Sequence, residues 1–145
     1  MTTIEENNMT TAPLTQVVWL LRNKVNPFPV MANLTLDGNR ISLTLPPAAT
    51  ETFHGWVAER LGRTKEELTA AMMGGQPVEV FTTEDWTVSW PKSFAGAAME
   101  ITVGEHQWLA CLAYLSGGGL LQTMNLFTAR GRAKAWKAAF AALGK

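Results

Sequence analysis

The chain is poor in several residue types, and each scarcity removes a class of function. Of its 145 residues only one is a cysteine, Cys111, so neither an intrachain disulfide nor a multi-cysteine metal site is available. It has two histidines, His54 and His106. Neither has a Cys, Asp or His at ligand spacing, and the further ligands of a zinc centre are missing, so no metal and no cofactor is expected. Charged residues make up 17% of the chain, below the usual quarter. Twelve Lys and Arg balance twelve Asp and Glu. That balance argues against recruitment through bulk charge, so duplex nucleic acid is not an expected partner. No run approaches the ~18 apolar residues that span a bilayer. The longest early run, Val17-Val18-Trp19-Leu20-Leu21, follows the acidic Glu5 and Glu6, and no small-x-small cleavage site comes after it. No transmembrane segment and no secretory signal are therefore expected, and the expected location is cytoplasmic. Residues 1–12 are polar and rich in Thr and Asn, which predicts a mobile tail. Residues 13–145 are read as a single domain, long enough to bury roughly two-thirds of its unfolded surface.

What is present is periodicity. Leu14, Val17, Val18, Leu21 and Val25 recur at helical spacing, with Thr11 as cap and Pro13 near the first turn, which predicts a short N-terminal helix. Asn26-Pro27-Phe28-Pro29 breaks it. Val30, Ala32, Leu34 and Leu36 then alternate with polar neighbours and Met31. After Asp37-Gly38-Asn39-Arg40, Ile41, Leu43 and Leu45 do the same. Period two on both sides of an Asp-Gly turn predicts a β-hairpin. Phe53, Trp56, Val57 and Leu61 mark a helix from Ala49, closed by a left-handed cap at Gly62. Thr64 and Glu67 form a capping box opening a second helix, with Leu68, Ala71 and Met72 inward and Gly74-Gly75 as its end.

Strands follow. Val78 and Val80 alternate with Glu79, Thr82 to Asp85 turn the chain, and Trp86, Val88 and Trp90 share one face. Met99, Ile101 and Val103 make another strand, and Gly104-Glu105 leads into an apolar run from Gln107 to Leu115. After Gly117-Gly118-Gly119 a short strand is expected near Leu120 to Leu126. Ala129, Ala133, Trp136, Phe140 and Leu143 then form the inner stripe of a final amphipathic helix. The fold class is α+β: an antiparallel sheet, two inserted short helices and a C-terminal helix.

This order resembles the pleckstrin-homology superfold, in which a curled sheet or partly open barrel is capped at one end by a C-terminal helix. The local match runs from Val78 to Leu143. It rests on Trp86-Thr-Val-Ser-Trp-Pro-Lys-Ser-Phe94, Gly96, Met99-Glu-Ile-Thr-Val-Gly104 and the helix from Gly131 to Leu143. Small uncharacterised bacterial PH-like proteins are similar. The hairpin from Val30 to Leu45 would supply the first two strands. The resemblance implies a noncatalytic binding or scaffolding module, partnered by protein or peptide through a groove beside the strands or an exposed sheet edge. Phosphoinositide-binding members carry clustered Lys and Arg on the early hairpin. Here it offers only Arg40, with Arg22 and Lys24 upstream.

Several groups invite a chemical reading. Six Trp and six Phe against one Tyr is an unusual balance. Trp86, Trp90, Trp108 and Trp136 are candidates to line a cavity for a small apolar ligand, or else simply fill the core. Arg130, Lys134 and Lys137 fall on one face of the last helix and form a candidate basic surface. Asp85 and Glu100 are the carboxylates that an enzyme would use. A Cys-based nucleophile is disfavoured, because Cys111 and His106 lie five strand residues apart, roughly 16 Å. Gly117-Gly118-Gly119 lacks the residues that follow a phosphate loop and reads as a connection.

Overall fold

A computed structural model describes residues 13–23, 25, 29–52, 55–92, 96–113 and 123–145. The expected tail at 1–12, His54, Lys24 and the triple glycine lie outside them. Seven strands form one antiparallel sheet: β1 Leu14–Leu21, β2 Val30–Asp37, β3 Arg40–Leu45, β4 Val78–Thr83, β5 Thr87–Ser89, β6 Ala98–Val103 and β7 His106–Cys111. Their order across the sheet is β4-β3-β2-β1-β7-β6-β5. Between β3 and β4 come a 3₁₀ turn, Pro47–Thr52, and two helices, α1 Gly55–Arg60 and α2 Lys65–Met73. A third helix, α3, spans Thr123–Ala142.

β1 lies where the periodicity predicted a helix. Its apolar residues satisfied both a 3.6 and a 2.0 period, and the compact run Val17–Leu21 includes two β-branched residues, which favour a strand. The decision came from outside the segment. β1 is central, pairing with β2 from Leu14↔Leu36 to Leu20↔Val30 and with β7 at Trp19↔Cys111 through Leu21↔Leu109. Only an extended chain can satisfy both neighbours' backbone groups. Val18, Leu20 and Leu21 are consequently buried.

The hairpin of β2 and β3 forms as the alternation required, closed by Gly38-Asn39 between the paired Asp37 and Arg40. Val30, Ala32, Leu34, Leu36, Ile41, Leu43 and Leu45 all point into the core. The capping box is also present: Glu67 N–H donates to Thr64 Oγ1, and Thr64 N–H donates to the Glu67 carboxylate. The helix expected from Ala49 is split into the 3₁₀ turn and α1, and α1 ends at Gly62 in the left-handed region, φ 69°. α3 begins at Thr123, so residues 123–126 are helical where a short strand was expected; 120–122 fall outside the described residues.

β4 and β5 are consecutive, yet they occupy opposite edges of the sheet. Thr83 and Thr87 are four residues apart and can be separated by at most about 14 Å. Six interstrand steps across a flat sheet would span roughly 29 Å. The sheet must therefore curl until its two edges approach, without β4 and β5 pairing. The indole N–H of Trp86 holds the connection in place by donating to Asn39 O in the β2–β3 turn, 2.9 Å away.

The terminal helix buries the stripe its spacing predicted: Ala129, Ala133, Trp136 and Phe140 are all within 4% of full burial, with Leu143 packed beside them. Arg132 Nη1 donates to Leu112 O at 3.0 Å, tying the helix to the end of β7. Gly144, at φ 79°, lets Lys145 N–H return to Phe140 O and Gly144 N–H to Ala141 O, which ends the helix and turns the chain back. No helix among the described residues is long and apolar enough to cross a membrane.

Candidate functional site

Three of the four candidate tryptophans gather about one phenylalanine. Phe140 on α3 lies 5.3 Å from Trp86, 5.6 Å from Trp136 and 6.3 Å from Trp90, measured between ring centres. Trp86 and Trp90 bracket the short strand β5. Each carries a lysine from the C-terminal part of the chain on its ring. Lys145 Nζ is 4.4 Å from the centre of Trp86 and also donates to Trp86 O. Lys137 Nζ is 4.8 Å from the centre of Trp90. A cation over an indole face is attracted by the ring quadrupole. As the chain runs from Trp86 to Trp90, its partners run from Lys145 back to Lys137. The C-terminal half of α3 therefore lies antiparallel alongside β5.

Trp108 is not in this group. It sits with Trp56 at 6.4 Å, Phe81 at 6.2 Å and the His106 ring at 6.2 Å. Arg60, from the end of α1, places its guanidinium 5.5 Å from the Trp56 ring and 5.2 Å from the Trp108 ring, and donates from Nη1 to Gln107 O. Burial lowers the pKa of this guanidinium from its ordinary value. Sequence reasoning missed Arg60, because 48 positions separate it from Trp108 and only folding of the insertion brings them together.

Among the described residues, surface pockets open at two places relevant here. One of about 400 Å³ is lined by Arg22, Asn23, Val25, Arg60, Glu100, Gln107 and Leu109. The other, about 260 Å³, lies between Asp37, Asn39, Arg40 and Glu84, where Arg40 and Glu84 are ion-paired at 3.2 Å. No tryptophan lines either one.

The two candidate carboxylates are not brought into one pocket. Glu100 is in the larger pocket, opposite Ser89 and Leu109 in the sheet. Asp85 is exposed in the β4–β5 connection, where its backbone N–H donates to Thr83 Oγ1 at 2.9 Å. Cys111 is fully buried, and burial pushes its thiol up to about 11, so at neutral pH it is a protonated, enclosed sulfur. Among the described residues no group of three His, Cys, Asp or Glu is arranged to hold a metal ion.

The basic face of α3 is exposed at Arg130, Lys134 and Lys137. At 100° per residue, Arg130 and Lys137 lie within about 20° of each other and Lys134 about 60° from Lys137. Lys137 lies about 40° from the buried Ala133 and so stands at the rim of the packed face beside Trp90, whereas Arg130 and Lys134 lie further round the helix, about 60° and 100° from Ala133. None of the three has an ion-pair partner among the described residues. Compared with protein-family models, with curated proteins and with solved structures, the chain gave no match.

Proposed function

We propose that this protein is a noncatalytic binding module with a pleckstrin-homology-like architecture, acting on a protein or peptide segment by strand addition at β5. Three features support the PH-like reading, once the insertion between β3 and β4 is allowed for: the antiparallel sequence of strands, the curl that leaves β4 and β5 facing but unpaired, and the helix that packs Trp136 and Phe140 against the strands. Function does not follow from fold alone, so the role rests on the site.

One observation carries it. β5 pairs with β6 on one side only, at Thr87↔Thr102 through Ser89↔Glu100, and no described strand lies on its other side. Thr87 and Ser89 are exposed. An edge of this kind presents backbone donors and acceptors to an incoming extended segment, and main-chain hydrogen bonds then supply affinity without a side-chain signature. The test is a selection of linear peptides from a random displayed library, followed by amide hydrogen exchange on the complex. Selected peptides should slow exchange within Thr87–Ser89. Peptides that bind while leaving those amides unchanged would refute the edge as the site.

A further inference from the structure

Charge is balanced over the whole chain but not along it. All twelve acidic residues precede position 106, whereas Arg130, Arg132, Lys134, Lys137 and Lys145 follow it. Lys137 and Lys145 rest on the tryptophans at the two ends of β5, and Arg130 and Lys134 continue the row along α3 without an ion pair. From Lys137 to Arg130 the helix rises about 10 Å, the length of three residues of extended chain. The row thus starts at the Trp90 end of β5 and runs on past it, so a segment that pairs with β5 and continues beyond Trp90 would run toward Lys134 and Arg130.

Building on the strand-addition reading, we infer that the segment taken up at β5 is acidic, carrying two or more carboxylates that meet Arg130, Lys134 and Lys137. The physical reason is complementarity. The packed stripe fixes the helix that carries the cations, and Lys137 is already oriented by Trp90. An acidic strand therefore gains Coulomb attraction without ordering the helix face first. A lysine-rich strand would meet like charge. An anionic membrane surface offers charge of the same sign, but it has no backbone to pair with the open edge, so the edge and the row together favour a peptide.

The test uses the full chain and four ten-residue probes. One alternates Glu with Thr and Val, the second has Gln in place of Glu, the third has Lys, and the fourth is the Glu peptide N-methylated at alternate residues. Affinity is measured by titration and β5 amides are followed by exchange. The Glu peptide should bind about tenfold more tightly than the Gln peptide, as two or three partly exposed ion pairs allow. It should protect Thr87–Ser89 and weaken as salt is raised. Arg130→Glu with Lys134→Glu should abolish the preference while leaving the Gln peptide's affinity and the thermal midpoint unchanged. Equal binding of the Glu and Gln peptides with protected β5 amides would overturn the acidic preference and leave strand addition standing. Failure of every peptide to protect β5, or full retention of affinity by the N-methylated peptide, would overturn both readings. Binding to vesicles of phosphatidylserine and phosphatidylcholine without any preference among the peptides would assign the basic row to membrane and overturn the inference.

Discussion

The indole N–H of Trp86 donates to the carbonyl oxygen of Asn39, whereas that of Trp136, equally deep in the same cluster, has no acceptor among the described residues. Both rings fill volume beside Phe140, but only the first also ties two parts of the chain together. Trp86→Phe should lose about 1 kcal/mol from the hydrogen bond alone, since the exposed Asn39 carbonyl can recover water. Trp136→Phe removes a buried donor that has no acceptor among the described residues and should stay within about 1 kcal/mol of the parent. Trp136→Ala should cost about 3–5 kcal/mol through the cavity it leaves. Urea unfolding of the three variants would read this order, and a loss under about 1 kcal/mol for the alanine variant would remove α3 from the core.

Arg60 bridges the insertion and the β6–β7 hairpin. Its guanidinium stacks on Trp56 and Trp108 while donating to Gln107 O. Arg60→Met keeps much of the stem but loses the cation and the donor, and should cost about 1–2 kcal/mol. Arg60→Lys should not restore it, because an ammonium lacks the flat fork that stacks and donates together. Chemical denaturation with fluorescence detection would measure both losses. Full rescue by lysine would show that charge alone is what the site needs.

The Cys111 thiol is raised from its ordinary value of 9.0 to about 11 by burial, partly offset by a hydrogen bond involving the Ala113 backbone. For a group whose folded pKa is raised, the unfolded chain holds fewer protons once pH exceeds its own pKa. Stability is then unaffected below about pH 9 and falls as pH rises from about 9 toward 11, by about 2–3 kcal/mol in all. Cys111→Ala should flatten that part of the curve. The same burial predicts that a thiol reagent labels the native protein only as fast as it opens, and labels it immediately in denaturant.

Gly38 closes the hairpin of β2 and β3 at φ 62°, and a Cβ added there would meet nothing within 4 Å. The whole cost of Gly38→Ala is therefore backbone conformation, about 1–2 kcal/mol. Gly38→Asn should cost less, because asparagine tolerates the left-handed region. If thermal midpoints ranked the two the other way, the turn would have a different geometry.

The segments legible in the sequence are those whose local chemistry and tertiary role agree. The β2–β3 hairpin needed only alternation and its turn, α2 its capping box, and α3 a stripe of Ala129, Ala133, Trp136 and Phe140. In each case the burial pattern is set by a period that the chain carries within itself. The basic row was legible for the same reason, since Arg130, Lys134 and Lys137 share a face of a helix predicted from sequence.

Tertiary structure decided what depends on contacts between distant segments. Leu14 to Leu21 fits either period, and became a strand because β2 and β7 flank it and leave backbone groups for it to satisfy. Trp108 joined Arg60, Trp56 and Phe81 rather than Trp86, Trp90 and Trp136, because the curl of the sheet separates residues that the sequence could only count. The same curl brought the opposite edges, β4 and β5, toward each other and laid α3 beside the second. Apolar composition sets how much surface is buried, but the hydrogen-bond partners of each strand set which surfaces remain.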